Sequence, residues 1–222
     1  MTAAAVYRPK GDPQALVVFL SGDGGWTSGV IEMAQQLAGQ GAAVVGVDTP
    51  ALLKSLDAAA HDGCGDLSGA LADFAQKERA DLHVAAGAPL VLAGYSSGAT
   101  AIYVAQATMP AATASGSLAL GFCPDLDTRR PFCTAGGTAK MTADKTKQGY
   151  VYSKAEPSLE GFIALQGLKD QVCDPAATIA FVGGIPGARV VQLPKVGHGF
   201  SVEKNWVPQF LAAYQDIAGA AQ

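Results

Sequence analysis

The feature that most constrains this chain is a G-x-S-x-G motif at residues 94–98, which reads G-Y-S-S-G. An apolar run, P-L-V-L-A, precedes it at residues 89–93, and a helix-compatible segment follows at residues 99–107. The glycines allow a sharp turn between a strand and a helix, and such a turn exposes the serine at the carboxyl end of the strand. The motif therefore predicts a strand, a tight turn and a helix, with Ser96 as a candidate nucleophile.

Two further residues complete a candidate catalytic triad with Ser96. A serine hydroxyl is a weak nucleophile until a base takes its proton, and a third group must orient that base. Asp170 follows a strand-like run at residues 162–166, and His198 follows another at residues 189–193. The chain order Ser, Asp, His is that of α/β-hydrolases. We therefore predict the triad Ser96, Asp170 and His198.

Other titratable residues offer alternatives to this assignment. Asp174 is a second candidate for the acid, although its place before Pro175 is more typical of a helix N-cap. The chain has three histidines. His83 falls in a predicted connection between a helix and a strand, where we expect a structural or solvated role. His61 falls in a loop after a strand, from which it could also line the site.

A glycine-rich loop supplies candidate donors for an oxyanion hole. The loop S-G-D-G-G-W at residues 21–26 follows an apolar run at residues 15–20, which predicts a buried strand. In α/β-hydrolases one donor is the backbone N–H of the residue after the nucleophile, here Ser97, and another comes from this loop. We expect the second donor to be the backbone of Asp23, with Gly22 as the alternative.

The side chains around this loop are candidate substrate-binding groups. The Asp23 carboxylate either caps the helix that follows or binds an ammonium group on the substrate. Trp26 either packs in the first turn of that helix or forms a wall of the pocket. Asp23, Trp26 and Tyr95 are therefore our candidates for substrate contact.

Several motifs together resemble the bacterial virulence protein family VirJ/AcvB. They are V-V-F-L-S-G-D-G-G-W at residues 17–26, V-G-V-D at residues 45–48, the G-Y-S-x-G motif, and G-H-G-F at residues 197–200. The similarity extends over nearly the whole chain. It implies a periplasmic α/β-hydrolase that cleaves the aminoacyl ester of lysyl- or alanyl-phosphatidylglycerol, with a link to virulence and type IV secretion. Such an ester carries a free α-ammonium near the scissile carbonyl, with which the Asp23 carboxylate could pair.

Composition and charge limit the alternatives. At 222 residues and 49% hydrophobic content, we expect one domain, residues 1–222, with a sizeable core. The net charge of −4 argues against a nucleic-acid partner. No stretch approaches the roughly 18 apolar residues of a membrane span, and no signal peptide is visible. The chain has no C-x-x-C pair or histidine cluster, so we expect no metal and no organic cofactor.

The order of predicted elements indicates an α/β fold. Strands are predicted at residues 16–20, 43–47, 90–93, 117–121, 162–166 and 188–193, and helices at 28–38, 66–79, 97–107, 175–182 and from about 208. This alternation predicts a doubly wound, mostly parallel sheet with helices on both faces. The segment at about 123–159 interrupts the alternation and is predicted to be an insertion, or cap, after the fourth main strand.

The insertion is strongly basic. It carries Arg129, Arg130, Lys140, Lys145, Lys147 and Lys154. With one acidic residue, Asp144, residues 129–154 have a net charge of +5 and the rest of the chain −9. The segment is either a solvated cap or a docking face for anionic lipid, where each basic residue contributes about 1 kcal/mol.

Four cysteines, Cys64, Cys123, Cys133 and Cys173, allow three disulfide connectivities. The loop between Cys123 and Cys133 is short and suited to local closure. Cys64 and Cys173 both follow carboxyl ends of predicted strands, which favours a second bridge near the active-site face, but the sequence does not fix the pairing. We expect two disulfides in an oxidising compartment, each contributing about 2–4 kcal/mol, rather than four reduced thiols.

These observations predict a serine hydrolase of the bacterial envelope. Two other functions stay open. One is a general carboxylesterase or thioesterase acting on soluble esters. The other is a non-catalytic envelope protein that uses a hydrolase fold to bind components of a secretion system.

Overall fold

The centre of the protein is a seven-stranded sheet, seen in a computed structural model that describes residues 1–60, 63–134, 137–144 and 149–219. In chain order the ten strands of these residues are β1 (Ala5–Tyr7), β2 (Ala15–Leu20), β3 (Ala42–Val47), β4 (Leu90–Tyr95), β5 (Gly116–Leu120), β6 (Asp125–Leu126), β7 (Met141–Ala143), β8 (Tyr150–Tyr152), β9 (Phe162–Gly167) and β10 (Arg189–Leu193). The order across the large sheet is β1-β3-β2-β4-β5-β9-β10. All its pairings are parallel except that of β1 with β3. The predicted, mostly parallel sheet is therefore confirmed.

Helices cover both faces of this sheet. They are α1 (Ser28–Gly39), α2 (Thr49–Ala59), α3 (Leu67–Asp81), α4 (Ser97–Thr108), α5 (Pro175–Val182) and α6 (Val207–Gly219). One core contains buried residues of α1 and α6, and the other contains buried residues of α2 to α5. Strands β2, β3 and β9 are buried at every residue, which explains their mostly apolar sequences. None of the described helices has the length and apolar character needed to cross a bilayer.

Besides the strands of the insertion, the sequence did not predict strand β1 or helix α2. Strand β1 has only three residues and pairs at the edge of the sheet, so it gives almost no periodic signal. Helix α2 does carry a start signal, because Asp48 caps it by accepting a hydrogen bond from the backbone N–H of Ala51 at 2.9 Å, and a proline lies in its first turn.

The insertion follows β5, as predicted, and forms a small antiparallel sheet in the order β6-β8-β7. Leu126, Phe132 and Tyr152 anchor it to the main core. Its described basic residues, Arg129, Arg130, Lys140 and Lys154, are exposed. Lys145 and Lys147 lie outside the described residues.

The four cysteines form two disulfides, but the pairing favoured from the sequence was wrong. The bonds are Cys64–Cys133 and Cys123–Cys173. Residue 133 reaches Cys64 because the backbone N–H of Cys133 donates to the carbonyl of Gly65 at 2.9 Å. Cys123 follows β5 and Cys173 follows β9, and these neighbouring parallel strands end side by side. The partner of Cys123 is therefore determined by which strands are neighbours in the sheet, and not by the short sequence distance to Cys133.

Candidate active site

The turn between β4 and α4 presents Ser96 in a strained backbone conformation, with φ of 54° and ψ of −122°. The flanking glycines are needed because the chain packs closely here. A β-carbon on Gly94 would collide with the carbonyl oxygen of Gly98, and one on Gly98 would collide with that of Ser21. The backbone N–H of Ser96 donates to the carbonyl of Leu120 at 2.9 Å. The predicted strand, turn and helix are thus present, and a non-glycine residue at positive φ is typical of a functional turn.

The structure brings together all three residues of the predicted triad. His198 Nε2 lies 3.0 Å from Ser96 Oγ, and His198 Nδ1 lies 2.8 Å from Asp170 Oδ2. The Asp170 side chain is fully buried, whereas that of His198 is 16% exposed. Each of the three follows the carboxyl end of a parallel strand, which is why residues so distant in sequence meet at one edge of the sheet. This linear arrangement suits proton transfer from the serine to the imidazole.

Backbone donors hold the Asp170 carboxylate in place. Its Oδ1 accepts hydrogen bonds from the backbone N–H groups of Val172 at 2.8 Å and Cys173 at 2.9 Å. Cys173 is covalently bound to Cys123, whose carbonyl accepts a 2.6 Å bond from the hydroxyl of Thr100 in α4. The loop that carries the acid is therefore tied through a disulfide to the region of the nucleophile turn.

An aromatic cluster supports the loop that carries His198. The hydroxyl of Tyr95 donates to the carbonyl of His198 at 3.1 Å, and the two rings are 5.4 Å apart. Phe200 packs edge-on against both Tyr95 and Trp206, with centroids at 6.2 Å and 5.7 Å. Burial, and then the negative charges of Asp170 and Asp23, raise the pKa of Tyr95. Its hydroxyl thus stays protonated and keeps donating, a support role that the motifs did not reveal.

The candidate oxyanion loop, residues 21–26, is held by the start of α2. The Thr49 hydroxyl donates to the carbonyl of Ser21 at 2.6 Å, and its backbone N–H donates to Ser21 Oγ at 3.0 Å. A β-carbon on Gly22 would lie 3.2 Å from that of Ser96, so the loop passes directly beside the nucleophile. Ser97 opens α4, and its N–H has no acceptor within the helix. Of the predicted donors, Ser97 follows Ser96 directly and Gly22 lies beside it, and Asp23 is the next residue of the same loop.

The substrate-contacting role expected for Trp26 does not fit its position. A β-carbon on Gly46 would collide with the Trp26 ring. The ring packs edge-on against Phe19 at 5.8 Å, and its Nε1 donates to the Tyr7 hydroxyl at 3.3 Å. Trp26 therefore packs against the sheet, and of the two roles offered by the sequence this position supports packing.

Asp23 is exposed and does not cap the helix that follows. The N-cap of α1 is Thr27. Within the described part of the chain, the Asp23 carboxylate forms no side-chain hydrogen bond or ion pair. Its charge contributes to the raised pKa of Tyr95, so Asp23 lies within electrostatic range of the site. The Asp23 carboxylate is therefore available to bind a cation beside the triad.

The alternatives to the triad separate clearly. Asp174 caps α5 by accepting a 2.9 Å bond from the backbone N–H of Ala176, as its sequence context indicated. His83 is exposed and lies between α3 and β4. His61 lies outside the described residues. A potential metal-ligand group in the described ranges, Asp170, Cys173 and His198, is the triad region itself, and Cys173 is already used in a disulfide.

Two cavities lie at different places on the sheet. One of about 290 Å³ lies beside the triad and is lined by Gly22, Gly24, Gly25, Thr27, Gly29, Val30, Met33, Tyr95 and Gly199. Another of about 670 Å³ lies around the end of α4 and the start of β5, and includes Met109, Ser115 and Leu159. Ser96 follows the carboxyl end of β4, whereas the larger cavity lies near the start of β5. Of these two cavities, the smaller one therefore adjoins the candidate active site.

Known proteins support this description of the fold. Residues 14–122 match the family model described as bacterial virulence protein (VirJ). The match includes the glycine-rich loop and the turn that carries Ser96 and ends before the insertion, so the resemblance to VirJ is confirmed over that part of the chain. No curated protein sequence matches the chain.

Solved structures extend the likeness to the whole chain. The esterase domain of a Rhodothermus marinus protein has 16% identity and a TM-score of 0.60, covering 95% of this chain and 90% of its own. The esterase Est1E from Butyrivibrio proteoclasticus, with ferulic acid bound, has 14% identity and a TM-score of 0.61, covering 97% and 94%. A lidless α/β serine hydrolase from Xanthomonas campestris has 19% identity and a TM-score of 0.56, covering 97% and 87%. The fold is therefore the α/β-hydrolase fold.

Proposed function

We propose that this protein is a serine hydrolase that cleaves carboxylic esters. The hydrogen-bond chain from Ser96 through His198 to the buried Asp170 is the observation that carries this proposal. A protein that only binds a partner does not need three hydrogen-bonded side chains of this kind beside a glycine-rich loop. The proposal is thus based on the site and not on the fold, which many unrelated activities share.

In the proposed reaction, Ser96 Oγ attacks the ester carbonyl while His198 Nε2 takes the hydroxyl proton. Backbone N–H groups of Ser97 and of Asp23 or Gly22 stabilise the oxyanion. Losing one such donor typically costs about 100- to 1,000-fold in rate. The C–O bond then breaks, and His198 returns the proton to the leaving alcohol. A water molecule, deprotonated by His198, hydrolyses the acyl-serine and restores the enzyme.

We propose that the ester is an aminoacyl ester of phosphatidylglycerol. The Asp23 carboxylate supports this choice because it is exposed, unpaired within the described residues and close enough to influence Tyr95. A carboxylate beside an oxyanion opposes the reaction unless a cation compensates it, and an aminoacyl ester brings its own α-ammonium. The VirJ match, over residues 14–122, is also consistent with this substrate.

The proposed location is the periplasm. Two disulfides, Cys64–Cys133 and Cys123–Cys173, favour an oxidising compartment. The exposed arginines and lysines of the insertion suit contact with an anionic membrane, where a lipid substrate lies. Components of a type IV secretion system are proposed partners.

Lipid mass spectrometry tests the substrate. Purified protein is incubated with vesicles containing alanyl- or lysyl-phosphatidylglycerol, beside a Ser96→Ala control. We expect loss of the aminoacyl lipid and release of phosphatidylglycerol with the unmodified protein only. Turnover of a simple aryl ester without turnover of either lipid would support the proposed serine hydrolase activity and reject the proposed lipid substrate.

The role of Asp23 has its own test. Replacing Asp23 with Asn keeps the size of the side chain and removes its charge. We expect the activity on aminoacyl esters to fall by at least tenfold and that on plain acyl esters of the same alcohol to hold. An equal effect on both classes would reject ammonium recognition.

A further inference from the structure

We infer that the 290 Å³ cavity beside the loop that carries Ser96 receives the side chain of the substrate's acyl group and selects uncharged side chains. This inference rests on the proposed function and specifies the substrate class of the same site.

The position of the cavity assigns it to the acyl group. Gly22, which lines it, packs against the β-carbon of Ser96, and Gly199, which also lines it, follows His198 directly. The cavity therefore adjoins the segments that carry the nucleophile and the base, although Ser96 and His198 do not themselves line it. An acyl carbon bound to Ser96 has its own substituent within reach of this space, since the oxyanion loop forms one wall.

The wall of the cavity is neutral and partly apolar. Its lining side chains include Val30 and Met33 of α1, which are 2% and 3% exposed. Five of the nine lining residues are glycines, and none of the nine carries a charge. A lysyl ammonium placed inside would lose hydration without gaining a counter-ion, which is strongly unfavourable. A methyl or another short apolar group would instead gain by leaving water.

Asp23 completes the recognition from outside the cavity. It lies between Gly22 and Gly24, both of which line the cavity, but Asp23 itself is exposed and absent from the lining. The α-ammonium of an aminoacyl group is thus expected at the rim, with its side chain inside. This division predicts that alanyl and leucyl esters are better substrates than lysyl esters of the same alcohol.

Two substitutions alter the cavity in opposite directions. Met33→Ala enlarges it. Gly29→Leu narrows it without a steric conflict at the β-carbon, because nothing lies within 4 Å of a β-carbon built on Gly29. Gly39→Leu is a matched control, since Gly39 is in the same helix, is also unobstructed, and does not line the cavity. Met109→Ala is the corresponding control for Met33, as it opens the distant cavity instead.

The experiment measures kcat/KM for a series of aminoacyl esters of one alcohol. The unmodified protein is expected to prefer alanyl over lysyl by at least tenfold. Met33→Ala should raise the leucyl-to-alanyl ratio by about tenfold or more, since one or two methylenes in a pocket typically change selectivity 10- to 200-fold. Gly29→Leu should lower that ratio, and both controls should leave it unchanged.

The outcomes distinguish the two proposals. Hydrolysis that depends on Ser96 but prefers lysyl esters, or ratios that neither cavity variant changes, would overturn the pocket assignment and leave the serine hydrolase standing. If no ester is cleaved in a manner that depends on Ser96, the proposed function fails, and the pocket assignment fails with it.

Discussion

The two disulfides offer a matched pair of perturbations with different expected effects on activity. Cys123–Cys173 ties the loop that holds Asp170, whereas Cys64–Cys133 ties the insertion to the segment before α3. We compare the double variant Cys123→Ser/Cys173→Ser with Cys64→Ser/Cys133→Ser. Each removes one bond and leaves the other bond in place.

The expected loss of stability is nearly the same for both variants. The bonds close loops with sequence separations of 50 and 69 residues. In the chain-entropy description, loops of these lengths each correspond to about 4 kcal/mol at 25 °C, with a difference of about 0.3 kcal/mol between them. A general loss of stability would therefore affect both variants equally.

The expected loss of activity differs. Cys173 donates its backbone N–H to Asp170 Oδ1, and the freed loop would let this carboxylate shift relative to His198. Misplacement of a catalytic group by about 1 Å typically costs on the order of 100-fold, and replacing the triad acid of a serine protease costs about 10⁴-fold, which is an upper bound. We expect kcat to fall about 10- to 100-fold for the Cys123/Cys173 variant and less than threefold for the other.

The assay is aryl ester hydrolysis at a temperature where circular dichroism shows both variants to be folded, with rates expressed per folded molecule. Denaturant titration checks that their unfolding free energies fall by similar amounts. Equal kcat values for the two variants, at equal stability, would refute the view that this disulfide positions Asp170.

Three further predictions follow from local contacts. Gly98→Ala places a methyl group against the carbonyl of Ser21 and should reduce kcat more than 100-fold, a loss comparable to that of an oxyanion donor; Gly39→Ala, measured alongside, should have no such effect. Thr49→Val leaves the buried Ser21 carbonyl without its 2.6 Å hydroxyl donor and should lower the unfolding free energy by about 1–3 kcal/mol in urea titrations, and an unchanged midpoint would contradict this. Burial raises the pKa of Tyr214 to about 12 and also raises that of Tyr103. The unfolded chain therefore loses these protons first, so the unfolding free energy should fall as the pH rises above about 10, and constant stability between pH 8 and 11 would argue against it.

The sequence predicted those parts of the site that follow from local backbone constraints. The two glycines around Ser96 are needed at a turn where the main chain packs against itself. The G-x-S-x-G motif contains both glycines, so the turn can be predicted from the sequence. Apolar runs predicted β2, β3 and β9 because strands buried on both faces are mostly apolar, with Gln166 of β9 as a buried polar exception. Asp170 and His198 were found because parallel strands all deliver their following loops to one edge of the sheet.

The parts that were missed depend on contacts between distant segments. The cysteine pairing depends on β5 and β9 being neighbours in the sheet. Local sequence patterns do not determine strand order, so this pairing could not be predicted. The position of Trp26 over Gly46 depends on how β3 packs against the loop after β2. Helix α2 was not predicted, although Asp48 followed by threonine and proline is a helix-start signal.

The most direct test of the central claim is labelling with a fluorophosphonate, which reacts with activated serines, followed by peptide mass spectrometry. We expect a single adduct on Ser96, which is lost in Ser96→Ala and forms much more slowly in His198→Ala, while Ser97→Ala retains it. The absence of an adduct on the folded protein, or an adduct on another residue, would contradict the assignment of Ser96 as the nucleophile.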